Sequence, residues 1–390
     1  MQKRFVPDEG GAFPEWEEKT IEEACNVNVS NGTPGDKFIY IELGDINKYG
    51  LLKRKNLVQK NEAPVSAKRV AKIDDVFFRS VRPGNKGHFH YTNEMSEQVV
   101  MSSAFFQLSM KDGDNGFLYQ ALNSDYFCKQ VLKKCAGTAY PTISLKEFIR
   151  LKIKIPKSIE EQRKIAAALA AYDEMIAVKT AKLETWQEYK KRMMRDIFNK
   201  TRRFKDDDGK EFPEWEERTL GEVCKYGNTH KTGKNYINIE SMNKDFSGVT
   251  FLEPSLERKG IVYGVGDVLM SNIRPYLRKA WLADRSGICD SDVLVFHLKD
   301  GVDIDSTFLY YTIASSELVK WAMIGARGTK MPRCDKQHLM EKRIFLPCKE
   351  EQQKIGSFLA EIDKEIQIQK EFIKTYAEGK KRMMRELMEG

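Results

Sequence analysis

The sequence lacks long apolar runs and closely spaced cysteines, and it has few histidines. No stretch approaches the roughly 18 apolar residues of a membrane-spanning helix, and the segment through Pro7 has no apolar signal region. We therefore expect a cytoplasmic protein with no membrane partner. Seven cysteines without a CxxC pair suit a reducing compartment, and five scattered histidines offer no zinc spacing, so we expect no metal.

The common catalytic motifs are also missing. The sequence contains no GxxxxGK[ST], HExxH or GxSxG motif, no Gly-rich dinucleotide turn, and neither Asn-Pro-Pro nor Asp-Pro-Pro, which amino-methyltransferases use. Asp245 with Glu257-Arg258-Lys259 imitates a D…ExK nuclease signature, but the first half has no counterpart. We expect no catalytic residue and no cofactor. Two alternatives remain: a stand-alone DNA-modifying or DNA-cleaving enzyme with a degenerate motif, and a structural coiled-coil adaptor.

The chain does contain a long internal duplication. The hexapeptide Phe-Pro-Glu-Trp-Glu-Glu occurs at 13–18 and again at 212–217, and Arg4-Phe5 is matched by Arg203-Phe204. A repeat period near 190 residues is far longer than that of a solenoid, so it indicates duplicated domains.

Each copy ends in a segment that reads as a long helix. The segment 158–200 has no Gly or Pro, and its large apolar residues alternate at spacings of four and three, which predicts a coiled-coil seam. The same pattern returns at 348–390, and the polar interruptions Lys190 and Lys380 are equivalent. Ser158 and Glu161 predict a capping box at the first helix start.

The fold class expected from these patterns is α/β (α+β). Two globular recognition domains, at 1–157 and 201–347, are each followed by a coiled-coil helix, at 158–200 and 348–390. Tyr40-Ile41 and Tyr236-Ile237 lie in runs that favour strands. If the helices pack antiparallel, the tandem copies are related by an approximate two-fold axis and the helices form a spacer.

The candidate binding residues are polar groups in two kinds of loop that occur in both halves. A net charge of +8 permits a nucleic-acid partner but does not demand one. Arg and Asn pair with base edges, whereas Lys and Gly-Thr loops suit phosphates. The DNA-binding candidates are Arg82, Asn85, Lys86, His88, Thr138, Arg274, Tyr276, Arg278, Lys279, Thr329 and Lys330. Each Arg-Pro loop taken alone also fits a solvated hairpin tip.

Together these motifs resemble the specificity subunit of a Type I restriction-modification system. The resemblance rests on the repeated hexapeptide, the Gly-Thr…Pro loops, and the Glu-Gln-x-Lys-Ile sequences that open both helices at 161–165 and 351–355. It implies two target-recognition domains that read a bipartite, asymmetric site in double-stranded DNA, with the helices setting the gap. It also implies two modification (methyltransferase) subunits, and restriction subunits that bring translocation and cleavage. The methionines Met193, Met194, Met383 and Met384 are the candidate partner-binding residues.

Overall fold

The chain folds into two compact units, and both long helices are divided between them. The computed structural model describes residues 4–29, 32–251 and 254–389. Unit 1 comprises Met1–Lys182 with Gln369–Gly390, and unit 2 comprises Leu183–Ile368. The four predicted segments follow one another along the sequence, whereas each compact unit combines one globular part with a portion of each long helix. None of the helices in the described ranges is long and apolar enough to cross a membrane.

Unit 1 has a mixed α/β globular part built on three sheets. The strands are β1 (Trp16–Thr20), β2 (Cys25–Val27), β3 (Lys37–Ile41), β4 (Asn56–Gln59), β5 (Ala67–Val70), β6 (Val76–Arg79), β7 (Phe89–His90), β8 (Val99–Ser102), β9 (Phe105–Met110) and β10 (Lys152–Pro156). Their orders in the three sheets are β2-β9-β6-β7, β4-β3-β8-β5 and β1-β10, and β3 pairs with β8 in parallel. The helices are α1 (Ile21–Ala24), α2 (Asn115–Asn123), α3 (Asp125–Lys134), α4 (Leu145–Phe148) and α5 (Ile159–Phe198), the last of which continues into unit 2.

Unit 2 repeats part of this architecture. The strands are β11 (Glu216–Thr219), β12 (Cys224–Tyr226), β13 (His230–Gly233), β14 (Arg258–Tyr263), β15 (Val268–Ser271), β16 (Ala280–Leu282), β17 (Gly287–Cys289), β18 (Val293–Leu298) and β19 (Arg343–Leu346). The four-stranded sheet β12-β18-β15-β16 has the same order as β2-β9-β6-β7, and β11-β19 corresponds to β1-β10. The third sheet, β13-β14-β17, has three strands, whereas the third sheet of unit 1, β4-β3-β8-β5, has four. The helices are α6 (Leu220–Val223), α7 (Ser306–Ile313), α8 (Ser316–Ile324), α9 (Lys336–Met340) and α10 (Lys349–Met384), with a π-helical turn at Arg385–Glu389.

The strand prediction at Tyr236-Ile237 is wrong. Ile237 forms only an isolated bridge to Cys289, although its counterpart Ile41 lies in β3. Asn235 has a φ of +54°, and the Asn238 side chain accepts hydrogen bonds from Ser241. Local turns of this kind compete with strand pairing.

The two long helices run antiparallel within each unit. In unit 1, Asp173 contacts Lys380 at 2.6 Å, and Lys179 lies over the Phe372 ring at 4.4 Å, so later residues of α5 meet earlier residues of α10. In unit 2, Lys190 contacts Asp363 at 2.5 Å. The polar seam residues Lys190 and Lys380 are thus paired equivalently, each with an aspartate of the other long helix, and polar residues placed in this way can fix the register of two helices.

The Glu of each helix-opening motif ties the helix to the start of its repeat. Ser158 Oγ accepts the Glu161 N–H at 3.4 Å, but the buried Glu161 carboxylate bonds Arg4 at 2.8 and 2.9 Å. The predicted capping box is therefore only half formed, because Arg4 takes the carboxylate. In unit 2, Glu351 accepts hydrogen bonds from Arg203 and from Trp215 Nε1.

The Gln of the same motif joins three chain segments. Gln162 donates to the carbonyl of Pro156 at 2.8 Å and accepts the N–H of Asp114 at 2.9 Å. Gln352 donates to Pro347 and accepts from Asp305 in the same way. The motif that carried the resemblance therefore holds the last strand, the cap of α2 or α7, and the long helix together.

Candidate nucleic-acid interface

In each unit an Arg-Pro turn of unusual backbone geometry follows an inner strand of the four-stranded sheet that the two units share, β6 in unit 1 and β15 in unit 2. Arg82 and Arg274 have φ values of +49° and +51°, a region that non-glycine residues seldom adopt. Each Arg donates its N–H to a proline carbonyl, Arg82 to Pro141 at 2.6 Å and Arg274 to Pro332 at 2.7 Å. These bonds hold the strained conformation in place, and such strain often occurs at functional sites.

The prolines that hold the turns belong to the Gly-Thr loops, which comprise residues 137–141 in unit 1 and 328–332 in unit 2. Thr142 forms isolated β-bridges with Ala136 and with Val81, and Arg333 forms them with Arg327 and with Ile273. In each unit, therefore, one β-bridge closes the Gly-Thr loop and a second joins it to the residue just before the Arg-Pro turn. The structure thus brings together, in each unit, two loops that the sequence marked separately.

In unit 1 the joined loops present Arg82, Asn85 and Thr138 at the surface. The Arg82 guanidinium lies 4.1 Å from the centre of the Tyr140 ring and donates to the Ala139 carbonyl at 3.1 Å. Asn85 and Thr138 are exposed. Arg82 and Asn85 line a surface depression together with Gly84, Leu132 and Pro141.

The prediction that His88 contacts DNA is wrong. Its ring is 3% exposed, stacks on Phe78 at 4.1 Å, and accepts the Arg79 N–H through Nδ1 at 3.1 Å. Burial lowers the pKa of His88 from 6.5 to about 3. His88 directly precedes β7, where the loop ends, so an imidazole that the sequence placed in a polar loop is a core residue.

In unit 2 the surface residues are of different types. Tyr276 is 49% exposed, and Thr329 and Lys330 of the Gly-Thr loop are exposed. The Arg274 side chain is half-buried, and its buried Nε has no hydrogen-bond partner within the described ranges. Arg278 lies over the Phe246 ring at 5.1 Å.

The structure gives Lys279 a role inside the unit. Its ammonium group donates to the Ile239 carbonyl, and burial lowers its pKa. The amino group is therefore held against the neighbouring loop, and DNA binding by the half-buried Lys279 stays a prediction.

Sequence reasoning missed that Lys86 and Arg278 are equivalent. Each lies four residues after the turn Arg, has a φ of +54°, and donates its N–H to the turn proline at 2.9 Å. Lys86 also donates to the Asn123 carbonyl at 3.0 Å. The shared spacing from Arg82 and Arg274 was the available signal, and the different residues between hid it.

The prediction that the paired methionines form a free partner-binding surface is wrong. Met193, Met194 and Met384 are 3%, 8% and 6% exposed, and Met383 packs partly buried on the same core as Met384. Met193 and Met194 belong to the core of unit 2, and Met384 to that of unit 1. The apolar stripe at each helix end is used to cover a globular part.

The described parts of the chain contain no group of three or more His, Cys, Asp or Glu residues placed to hold a metal ion. The two units instead share cationic and aromatic side chains on matching loops, and unit 1 adds the amide of Asn85. Such a surface is typical of a duplicated nucleic-acid recognition protein.

Comparison with known proteins gives the family. The model of the Type I restriction modification DNA specificity domain matches residues 14–185 and 213–375. The MjaVIII specificity subunit of Methanocaldococcus jannaschii is 27% identical over 322 residues, covering 76% of this chain and 75% of that protein. The EcoDI specificity subunit of Escherichia coli is 30% identical over 131 residues, covering 33% and 28%.

Two solved structures share the fold. The S subunit of a Type I system from M. genitalium aligns with a TM-score of 0.58 at 15% identity, covering 98% of this chain and 99% of that one. A chain solved in work on assembly and conformational transition of the type I R-M system aligns with a TM-score of 0.53 at 19% identity, covering 99% of both.

The chain belongs to the Type I restriction modification DNA specificity family, which both matched segments establish. It is a DNA-recognition subunit without catalytic function, and its partners are DNA together with methyltransferase and restriction subunits. The resemblance in its sequence is thereby confirmed.

Proposed function

We propose that the two units read different halves of one bipartite, asymmetric site in double-stranded DNA. One observation carries the proposal: the Arg-Pro turn and the Gly-Thr loop are joined by the same backbone contacts in both units, while the exposed side chains differ. A constant backbone arrangement with different exposed side chains supports two domains that recognise different DNA sequences. Two identical readers related by a two-fold axis would select a palindrome.

The exposed side chains suit different contacts. Asn85 offers the donor and acceptor pair that matches the adenine edge, and Tyr276 offers an aromatic face with a hydroxyl group. Thr138, Thr329 and Lys330 on the Gly-Thr loops suit phosphate oxygens. Base reading is therefore assigned to the turns, and backbone contacts to the loops.

The partner complex is proposed to contain two modification subunits and the restriction subunits. Two copies of the recognition fold in one chain support two modification subunits, one for each half-site. Because the methionines are buried, the docking face is assigned instead to exposed apolar residues of the long helices in unit 1, namely Met175, Val178 and Phe372. They are 38%, 55% and 41% exposed.

Val178→Glu with Phe372→Glu is expected to reduce co-purification of the modification subunits, whereas Leu57→Glu, at an exposed site on β4, should not.

Selection from a random DNA library with the partner-bound chain tests the reading of the site. We expect a consensus of two unlike half-sites. Asn85→Ala and Tyr276→Ala should each weaken preference at particular positions of one half-site, by about 1 to 3 kcal/mol for a lost base contact. A palindromic consensus, or a single change that alters both half-sites, would contradict the proposal.

A further inference from the structure

Each unit has a basic cleft between its Arg-Pro turn and the end of one long helix. The cleft of unit 1 is lined by five cations, Lys48, Lys86, Lys380, Lys381 and Arg385. It also holds two carboxylates, of which Asp173 contacts Lys380 at 2.6 Å and Asp125 contacts Lys381 at 2.9 Å. Three positive charges therefore remain in excess.

The cleft of unit 2 has the same balance of charge. It is lined by five cations, Lys191, Arg192, Arg195, Arg278 and Lys320. Two carboxylates, Glu188 and Glu317, lie with them, and Glu317 contacts Lys320 at 3.0 Å. The excess is again three positive charges, although the surrounding residues differ.

In both units the cleft adjoins the surface that carries the reading residues. Lys86 and Arg278, which end the two turns at the same position, line the clefts. Gly84 and Asn85 line both the cleft of unit 1 and the depression beside Arg82. The cation that ends each turn therefore lies in the cleft itself.

We propose that these clefts bind the DNA phosphate backbone beside each half-site, so that the end of α10 holds the half-site read by unit 1 and the end of α5 holds that read by unit 2. The inference rests on the proposed function. Excess positive charge of equal size beside both turns suits a ligand that is the same at both half-sites, and the backbone is the part of DNA that does not change with sequence. The position four residues after the turn arginine is cationic in both units, Lys86 in one and Arg278 in the other, while the residues around it differ. A contact to phosphate needs the charge and not a particular side chain.

The test measures DNA binding by the partner-bound chain as a function of salt concentration. Lys381→Ala with Arg385→Ala removes two cations from the cleft of unit 1. Lys374→Ala with Arg382→Ala removes two exposed cations from the same helix that do not line the cleft. We expect the first pair to weaken binding and to reduce the slope of log K against log salt by about two, with base preferences unchanged. The control pair should leave the slope unchanged.

Phosphate ethylation interference locates the contacts. Lys381→Ala with Arg385→Ala should abolish interference beside the half-site of unit 1 only, and Lys191→Ala with Arg195→Ala beside that of unit 2 only. The charge-preserving pair Lys381→Arg with Arg385→Lys should retain it.

Three results would overturn the inference: an unchanged salt slope, a changed base preference, or loss of the modification subunits from the purified complex, which would make the cleft a protein-docking surface. If the wild-type complex selects no bipartite site, the proposed function itself fails. The two failures are therefore distinguishable.

Discussion

At the scale of single residues, the buried carboxylates at the helix starts are the groups most sensitive to substitution. Glu351 is fully buried and accepts from Arg203 Nη2 at 2.9 Å and from Trp215 Nε1 at 2.8 Å. Without Arg203, a buried charge would lose its cation, and breaking such a pair typically costs about 3 to 5 kcal/mol. We expect Arg203→Ala to lower the free energy of unfolding of unit 2 by an amount of this order, measured by urea denaturation.

Arg218→Ala is the matched control. Arg218 also contacts a glutamate, Glu216, at 2.8 Å, but both side chains are exposed. Solvent screens such pairs, so the control should leave the midpoint of unfolding unchanged. Equal effects of the two substitutions would contradict the assigned role of Glu351.

The buried His88 predicts a dependence of stability on pH. Its folded pKa of about 3 lies below the ordinary value of 6.5, so between these values the unfolded chain binds a proton that the folded chain does not. Stability should therefore fall as pH decreases through this window, by up to about 1.4 kcal/mol per pH unit. His88→Gln retains an acceptor for the Arg79 N–H and removes the titration. We expect the wild type to lose more stability than this variant between pH 7 and pH 5 in urea unfolding, and parallel profiles would contradict this.

At the scale of elements, the helices with a periodic sequence pattern were predicted correctly, whereas local turns were not. The seam of large residues at spacings of four and three predicted both long helices, because burial on one face imposes a repeat on the sequence. The strand-favouring residues Tyr40-Ile41 predicted β3. Tyr236-Ile237 has strand-like residues, but Asn235 and Asn238 turn the backbone there. The positive φ values of Arg82 and Arg274 could not be predicted either, since they depend on carbonyls of Pro141 and Pro332 that lie far along the chain.

The ion pair between Lys380 and Asp173 joins the two long helices, and its contribution to their association can be tested. Burial lowers the pKa of Lys380, and the nearby Asp173 carboxylate opposes this effect. Gln120 also donates to Asp173 at 2.8 Å. Lys380→Met leaves the carboxylate without its cation and should destabilise unit 1 by about 3 to 5 kcal/mol. Lys380→Met with Asp173→Asn should recover most of this loss, because Asn keeps an acceptor for Gln120 and carries no charge.

A double-mutant cycle measures the coupling between these two residues. The exposed pair Lys374 and Glu378, 4.0 Å apart on the same helix, provides the reference cycle. Coupling at the seam pair should clearly exceed that at the exposed pair. Additive effects at Lys380 and Asp173 would show that the pair does not contribute to helix association.

At the scale of the whole molecule, the duplication was evident in the sequence but the composition of the units was not. The ends of the two helices have nearly the same sequence, Lys-Lys-Arg-Met-Met-Arg at 190–195 and 380–385. Nothing in that sequence states which globular part each end covers. The structure places 190–195 in unit 2 and 380–385 in unit 1, so the end of each helix packs with a globular part other than the one that precedes it in the chain. The buried methionines follow from this arrangement, and a local pattern could not reveal them.

The same division shows where the spacing of the half-sites can be tested. The boundaries between the units fall within the two long helices, after Lys182 and after Ile368. Seven residues inserted at both positions keep the seam in register, because seven is one full heptad, and lengthen each helix by about 10 Å. If the helices set the gap, the gap between half-sites should grow by about three base pairs at 3.4 Å each, with the bases of both half-sites unchanged. Library selection with the partner-bound variant measures both quantities. Insertion at one position only is the control, since it lengthens one helix without its antiparallel neighbour and should lower the stability of the chain. An unchanged gap after the double insertion, or new bases in either half-site, would mean that the helices do not determine the spacing.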